Sequence, residues 1–191
     1  MTITFAPESR HRTELLAQIK AKAVVHGRVV LSSGQEADWY IDLRRIGLDG
    51  VTAPLVGRVM LDLVRGLEFD AVGGLTLGAD PVASAMLHAA AADPELVGGR
   101  KLDAFVVRKT EKAHGLQRRI EGPDIAGRRV LIVEDTSTTG NSPLTAVEAA
   151  RAAGAEVVAV AVIVERGAQQ AIDAAGLPYY AAYGLNDLGL A

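Results

Sequence analysis

Apolar positions along this chain switch repeatedly between two periods, the three-to-four spacing of a helix and the short continuous run of a buried strand. Between residues 9 and 25, Leu15, Leu16, Ile19 and Ala23 fall on one helical face. Residues 27–31 and 37–43 read as strands separated by the turn cluster Ser32-Ser33-Gly34-Gln35. Thr52 and Pro54 open a helix to about Gly66, with proline in the first turn, where it is tolerated. A strand over 69–73 leads to an Ala-rich helix over 81–92, and a strand over 102–107 leads to a charged loop reaching about Ala126. Residues 130–133, a helix near 143–153 and a strand over 157–164 form a βαβ unit, with Gly154 at the helix end. A short helix over 167–175 and a strand over 179–183 complete the pattern. Strands alternating with helices predict an α/β fold, a parallel sheet core flanked by helices. The first 50 residues break that rhythm and are expected to form a small N-terminal cap on a single domain, with 51–191 as its core.

Length and composition narrow the class. A chain of 191 residues buries a sizeable core. With aromatic residues at 4%, that core is aliphatic. The net charge of -3 argues against a nucleic-acid surface over the whole molecule. The absence of cysteine excludes disulfides, thiolate catalysis and Cys-ligated metal. No apolar run approaches ~18 residues, and the first residues lack the basic-then-apolar order of a signal peptide, so a cytoplasmic protein is expected.

Three stretches carry chemistry. In Val130-Leu131-Ile132-Val133-Glu134-Asp135-Thr136-Ser137-Thr138-Thr139-Gly140-Asn141-Ser142, an apolar strand delivers two carboxylates at its carboxyl end, where open α/β sheets bind ligands. The hydroxyl-rich turn that follows precedes a helix start, whose unpaired N–H groups and dipole suit a phosphate. Two carboxylates beside a phosphate cradle suit ribose hydroxyls or a hard cation bridging them. The plain alternative is a strand–turn–helix with Asn141 or Ser142 as N-cap. The second stretch, residues 108–119, is basic, long and without apolar periodicity, which reads as a lid over an anion or as a solvated charge run. The third, residues 72–81, is a glycine-rich turn that lets backbone amides approach an anion or simply joins a strand to a helix.

The first stretch resembles the phosphoribosyl pyrophosphate (PRPP) signature of type I phosphoribosyltransferases, and its Asp-Thr-Ser-Thr-Thr-Gly form resembles the orotate-using members. Four motifs in the expected order span about 27–167. The resemblance implies a type I phosphoribosyltransferase-like core under an N-terminal hood. It also implies transfer of ribose 5-phosphate from PRPP to orotate, giving orotidine 5′-monophosphate and pyrophosphate in pyrimidine biosynthesis. Glu134 and Asp135 would hold the ribose hydroxyls, and Thr136, Ser137, Thr138, Thr139, Gly140, Asn141 and Ser142 would bind PRPP, with the 5′-phosphate on 138–142. The basic stretch is similar to the family's Arg-Lys-x-x-Lys-x-His-Gly loop, which assigns Arg108, Lys109, Lys112 and His114 to PRPP. Asp135, Lys109, Lys112 and His114 would be the catalytic set, and Thr138 and Arg166 would meet orotate.

By the same resemblance Mg²⁺ is the cofactor, held mainly by PRPP near Glu134 and Asp135 with no ligand directly assigned. The enzyme would be a homodimer whose loops cross into the neighbour's site. Ser33, Gly34, Tyr40 and Asp42 match the hood motif, and Trp39 with Tyr40 form an aromatic wall or pack the cap. The chain departs from the family at Ser32 and Gly78, where many members carry lysine, and at Ala37 and Leu77, where they carry Ser and Tyr. A phosphoribosyltransferase for another base, or a PRPP-sensing regulator, would share the signature. A dinucleotide-binding domain would not, because no Gly-x-Gly-x-x-Gly opens a helix after a strand.

Overall fold

The computed structural model describes residues 2–30, 36–110 and 119–191. Its central sheet has seven strands: β1 (Thr4–Phe5), β4 (Ala71–Leu75), β5 (Asp103–Val107), β6 (Ile120–Glu121), β7 (Arg129–Ser137), β8 (Glu156–Glu165) and β9 (Tyr179–Tyr183). The spatial order is β1-β9-β8-β7-β4-β5-β6, and every neighbouring pair is parallel except β5 with β6. Two further strands, β2 (Val24–Val30) and β3 (Glu36–Ile41), pair antiparallel in a separate hairpin. The expected α/β architecture is therefore present, a mostly parallel sheet under a small antiparallel hood.

Side-chain alternation explains why the central strands read as unbroken apolar runs. On β7, Leu131 and Val133 join one buried cluster while Val130 and Ile132 join the other. On β8, Ala159, Ala161 and Ile163 divide in the same way from Val160 and Val162. Both faces are covered, so no position along these strands can be polar without cost. The first cluster packs under α1 (Arg10–Gln18), α3 (Ala53–Leu63) and α4 (Ala79–Ala92), and the second under α5 (Asn141–Ala152) and α6 (Gln169–Ala174). A Cβ on Gly57 would collide with the Ala85 carbonyl, so this glycine sets how closely α3 approaches α4. Short helices α2 (Arg44–Gly47) and α7 (Leu185–Leu188) complete the fold. Among the described residues no helix is long and apolar enough to cross a membrane.

Several expectations shift in detail. The helix expected over 9–25 starts on the Ser9 cap, whose Oγ accepts from the Arg12 N–H at 3.1 Å, but gives way to a π turn over Ile19–Ala23. The first 50 residues are not one cap, because β1 extends the main sheet beside β9 and α1 packs on α3. Among the described residues, only the β2–β3 pair forms strands outside the main sheet. The strand expected to stop at Val133 runs on to Ser137, because β8 is long enough to pair with it past the apolar run (Glu134 opposite Val162, Ser137 opposite Glu165). The N-cap of α5 is Gly140, not Asn141 or Ser142: its φ of +80° makes the turn, and an added Cβ would sit 2.9 Å from that of Ala171. Helix α5 ends at Ala152 with Ala153 as its C-cap, and Gly154 follows at φ +84°, the left-handed conformation that stops helices.

Candidate active site

The carboxyl end of β7 carries the acids. Glu134 is only 4% exposed, and its Oε1 accepts the Asp135 N–H at 3.1 Å. Asp135 Oδ1 accepts the Thr136 N–H at 2.6 Å. Burial, then the neighbouring Asp135 charge, pushes the Glu134 carboxyl up to about 9. Asp135 is also raised by burial, against the pull of the Thr136 N–H. Two adjacent carboxyls this poorly solvated cannot both ionise cheaply, so burial and mutual repulsion favour the protonated form of the pair. Beyond them the signature residues divide. The Thr136 hydroxyl donates to the Val164 carbonyl at 3.0 Å and Ser137 is buried, so both brace the sheet. Thr138, Thr139, Asn141 and Ser142 are exposed at the start of α5, whose first N–H groups lack helical partners.

Arg166 comes to this edge from the end of β8. Its N–H donates to the Ser137 carbonyl at 2.9 Å, which ties the two strand ends together. The Glu165 carboxylate accepts from the Gly167 N–H at 2.7 and 2.8 Å and from the Gln169 N–H at 3.2 Å, fixing the turn that presents Arg166. The guanidinium lies over the Trp39 ring from the hood, 5.1 Å from the centroid. Its Nε is buried with no hydrogen-bond partner among the described residues, and burial lowers its pKa. A buried, unpartnered cation edge calls for an anionic acceptor.

The glycine-rich turn closes a third side. Thr76 donates its N–H to the Val107 carbonyl at 2.8 Å and its hydroxyl to Asp80 Oδ2 at 2.7 Å; the Thr76–Leu77 peptide is cis. A Cβ on Gly78 would collide with Glu134 Oε1 and lie 2.8 Å from Asp135 Oδ1, so this glycine packs directly against both acids. Together these groups enclose a cleft of about 280 Å³, lined among others by Tyr40, Asp42, Glu134, Asp135, Ser142 and Arg166. Lys109 is exposed at its rim. Arg108 is directed elsewhere: its Nη1 meets Glu121 Oε1 at 3.3 Å. Lys112 and His114 lie outside the described residues, as do Ser32, Ser33 and Gly34. Among the described residues no three His, Asp or Glu side chains converge as a metal cage. Two carboxylates fit a cation that shares its coordination with a bound polyanion, since Mg²⁺ takes one or two carboxylates plus phosphate oxygens.

Residues 56–176 match the family model described as the phosphoribosyl transferase domain. The chain is 72% identical over 182 residues to the orotate phosphoribosyltransferase of Streptomyces coelicolor, covering 94% of this chain and 97% of that one. The chain belongs to the orotate phosphoribosyltransferase family. The Corynebacterium glutamicum enzyme of that name is 57% identical over 181 residues, covering 94% of each chain. The crystal structure of Mycobacterium tuberculosis orotate phosphoribosyltransferase in complex with PRPP superposes with a TM-score of 0.80 at 49% identity, over 94% of this chain and 99% of that one.

In this orotate phosphoribosyltransferase family member, three groups at the site carry little signal in the sequence. Arg44 enters the cleft from α2, where Nε donates to Asp42 Oδ1 at 2.8 Å and Nη2 to the Tyr40 hydroxyl at 3.3 Å. Its only signal in the sequence is a cation two residues beyond the hood's Tyr-x-Asp. Asp80 and Glu165 act through the turns that they brace, which no local pattern announces.

Proposed function

We propose that the chain transfers ribose 5-phosphate from PRPP to orotate, releasing pyrophosphate and forming orotidine 5′-monophosphate, a step of pyrimidine biosynthesis that we place in the cytoplasm. The observation that carries this reading is the meeting of three chemistries around one cleft: the Glu134–Asp135 pair, the open N-terminus of α5 and the unpartnered edge of Arg166.

Roles follow from the chemistry of each group. The α5 N-terminus and the hydroxyls of Thr138, Thr139 and Ser142 receive the 5′-phosphate. Glu134 and Asp135 take the ribose hydroxyls, and their negative charge, once ionised, lies beside the sugar carbon that becomes cationic as its bond to pyrophosphate breaks. Arg166 grips the orotate carboxylate with its planar fork, which leaves the ring nitrogen facing that carbon. The nitrogen loses its proton to solvent and forms the new bond to the sugar carbon, and pyrophosphate leaves with the electron pair of the broken carbon–oxygen bond. No protein nucleophile is required. Mg²⁺ arriving with PRPP would sit near Glu134 and Asp135 and supply charge neutralisation to the pyrophosphate oxygens. Lys109, with Lys112 and His114 of the basic loop, would cover the leaving group.

We further read the working form as a homodimer. Beside the cleft lies a groove of about 690 Å³ lined largely by Ala53, Pro54, Pro81, Ala85 and Ala89. Around it Leu48, Val51 and Leu77 are 74%, 71% and 60% exposed, an apolar face suited to a second copy. The deciding assay follows consumption of orotate with PRPP and Mg²⁺ against adenine, hypoxanthine and uracil. Orotate is expected to be the preferred base by a wide margin, and faster turnover of any other would overturn the assignment.

A further inference from the structure

Arg44 and Leu77 are the two residues that line both the cleft and the neighbouring apolar groove. Arg44 comes from α2 beside the hood and Leu77 from the glycine-rich turn. That turn stands where the family binds pyrophosphate, and many members place a lysine at the position of Gly78. Here the backbone at Gly78 lies so close to Glu134 and Asp135 that a side chain would have to displace both acids. The turn therefore contributes amides and carboxylates but no cation, and the described cations that line the cleft are Arg44, Lys109 and Arg166. Arg166 belongs to the Trp39 wall; Lys109 and Arg44 are both exposed, but Arg44 is held in place by Asp42. Pyrophosphate leaving from between the acids and this turn needs a fixed positive charge in the cleft itself.

We infer that Arg44 is a further substrate-positioning residue, which binds the pyrophosphate group of PRPP in place of a lysine on the turn; this rests on the activity proposed above. The geometry fits the task. Asp42 and Tyr40 hold one edge of the guanidinium, at Nε and Nη2, and Nη1 has no hydrogen-bond partner among the described residues. A guanidinium anchored on one edge presents the rest of its fork with little loss of side-chain entropy. Asp42 does not cancel the charge for a ligand, because a polyanion brings more than one negative oxygen and meets donors that Asp42 leaves free.

The test titrates magnesium pyrophosphate into the protein by calorimetry and measures KM for PRPP and for orotate separately. Arg44→Met is expected to weaken magnesium pyrophosphate and to raise the PRPP KM by about tenfold or more, the loss typical of a charge-assisted hydrogen bond. The orotate KM should stay within about twofold, and Arg44→Lys should fall between the two. If Arg44→Met does not fold, Arg44→Gln keeps a donor toward Asp42 and carries the same test. Unchanged pyrophosphate affinity in a folded neutral variant overturns the inference. So does an equal loss of orotate and pyrophosphate binding with a lowered Tm, which would make Arg44 a brace for Tyr40 and Asp42. A wild-type protein that neither binds magnesium pyrophosphate nor consumes orotate would instead overturn the proposed activity.

Discussion

Arg166 lies over the Trp39 ring, with its guanidinium carbon 5.1 Å from the ring centroid and its buried Nε unpaired among the described residues. The ring covers one face of the cation and leaves the donor edge for a ligand. A cation held against an aromatic face is weakly hydrated and gains strongly from a carboxylate partner.

Replacing that cation is therefore expected to act on the base alone. Arg166→Ala should raise the orotate KM by about tenfold or more, the worth of a charge-assisted hydrogen bond. PRPP affinity should remain near wild type. Steady-state kinetics with each substrate varied in turn checks this, and an unchanged orotate KM would point to a different base.

The two acids should separate by kinetic signature. Asp135→Asn removes charge beside the developing cation and is expected to cut kcat by on the order of a hundredfold. Glu134→Gln is expected to weaken PRPP more than it slows the chemical step. Near-wild-type kcat in Asp135→Asn would reduce the signature to a structural strand end.

The raised Glu134 carboxyl also predicts a pH dependence of stability. Unfolded, this group ionises near its ordinary value of 4.5, whereas in the folded protein it holds its proton up to about 9. The folded state thus binds the extra proton, so stability is full at pH below the ordinary value and falls progressively as pH rises toward 9. Glu134→Gln cannot ionise in either state. Its Tm relative to wild type is expected to rise from near parity at pH 4 to a clear advantage at pH 8. Thermal denaturation of both proteins across that range decides it, and a constant difference would mean that Glu134 is ionised in the folded protein.

Shared sites have a genetic-style test. One inactive variant carries Lys109→Ala with Lys112→Ala, and the other carries Asp135→Asn. If each site takes its loop from the partner, a mixed dimer regains one intact site and about half of wild-type activity, as two-fold symmetry dictates. Demonstrated subunit exchange without recovery would assign each loop to its own chain.

Much of this molecule is written locally. The apolar runs of β7 and β8 and the two acids after Val133 are visible in the chain, because a strand buried on both faces must be apolar throughout and a ligand end must be polar. The apolar run of β7 ends four residues before the strand does, because strand length depends on a partner and β8 supplies hydrogen bonds out to Ser137. Strands of two residues, β1 and β6, carry no period long enough to detect.

The sequence by itself determined the alternation of the longer strands and helices, the hydroxyl-rich turn after β7 and the identity of its acids. Only the tertiary structure decided that β7 lies between β4 and β8, which packs Gly78 against Glu134 and Asp135 and brings Trp39 over Arg166 from a separate hairpin. It also decided that burial raises the Glu134 carboxyl and that Arg44 borders two cavities. Periodicity records which face of an element is buried. Protonation and charge placement depend on distant segments meeting in a poorly solvated space, and a linear pattern contains no measure of that distance.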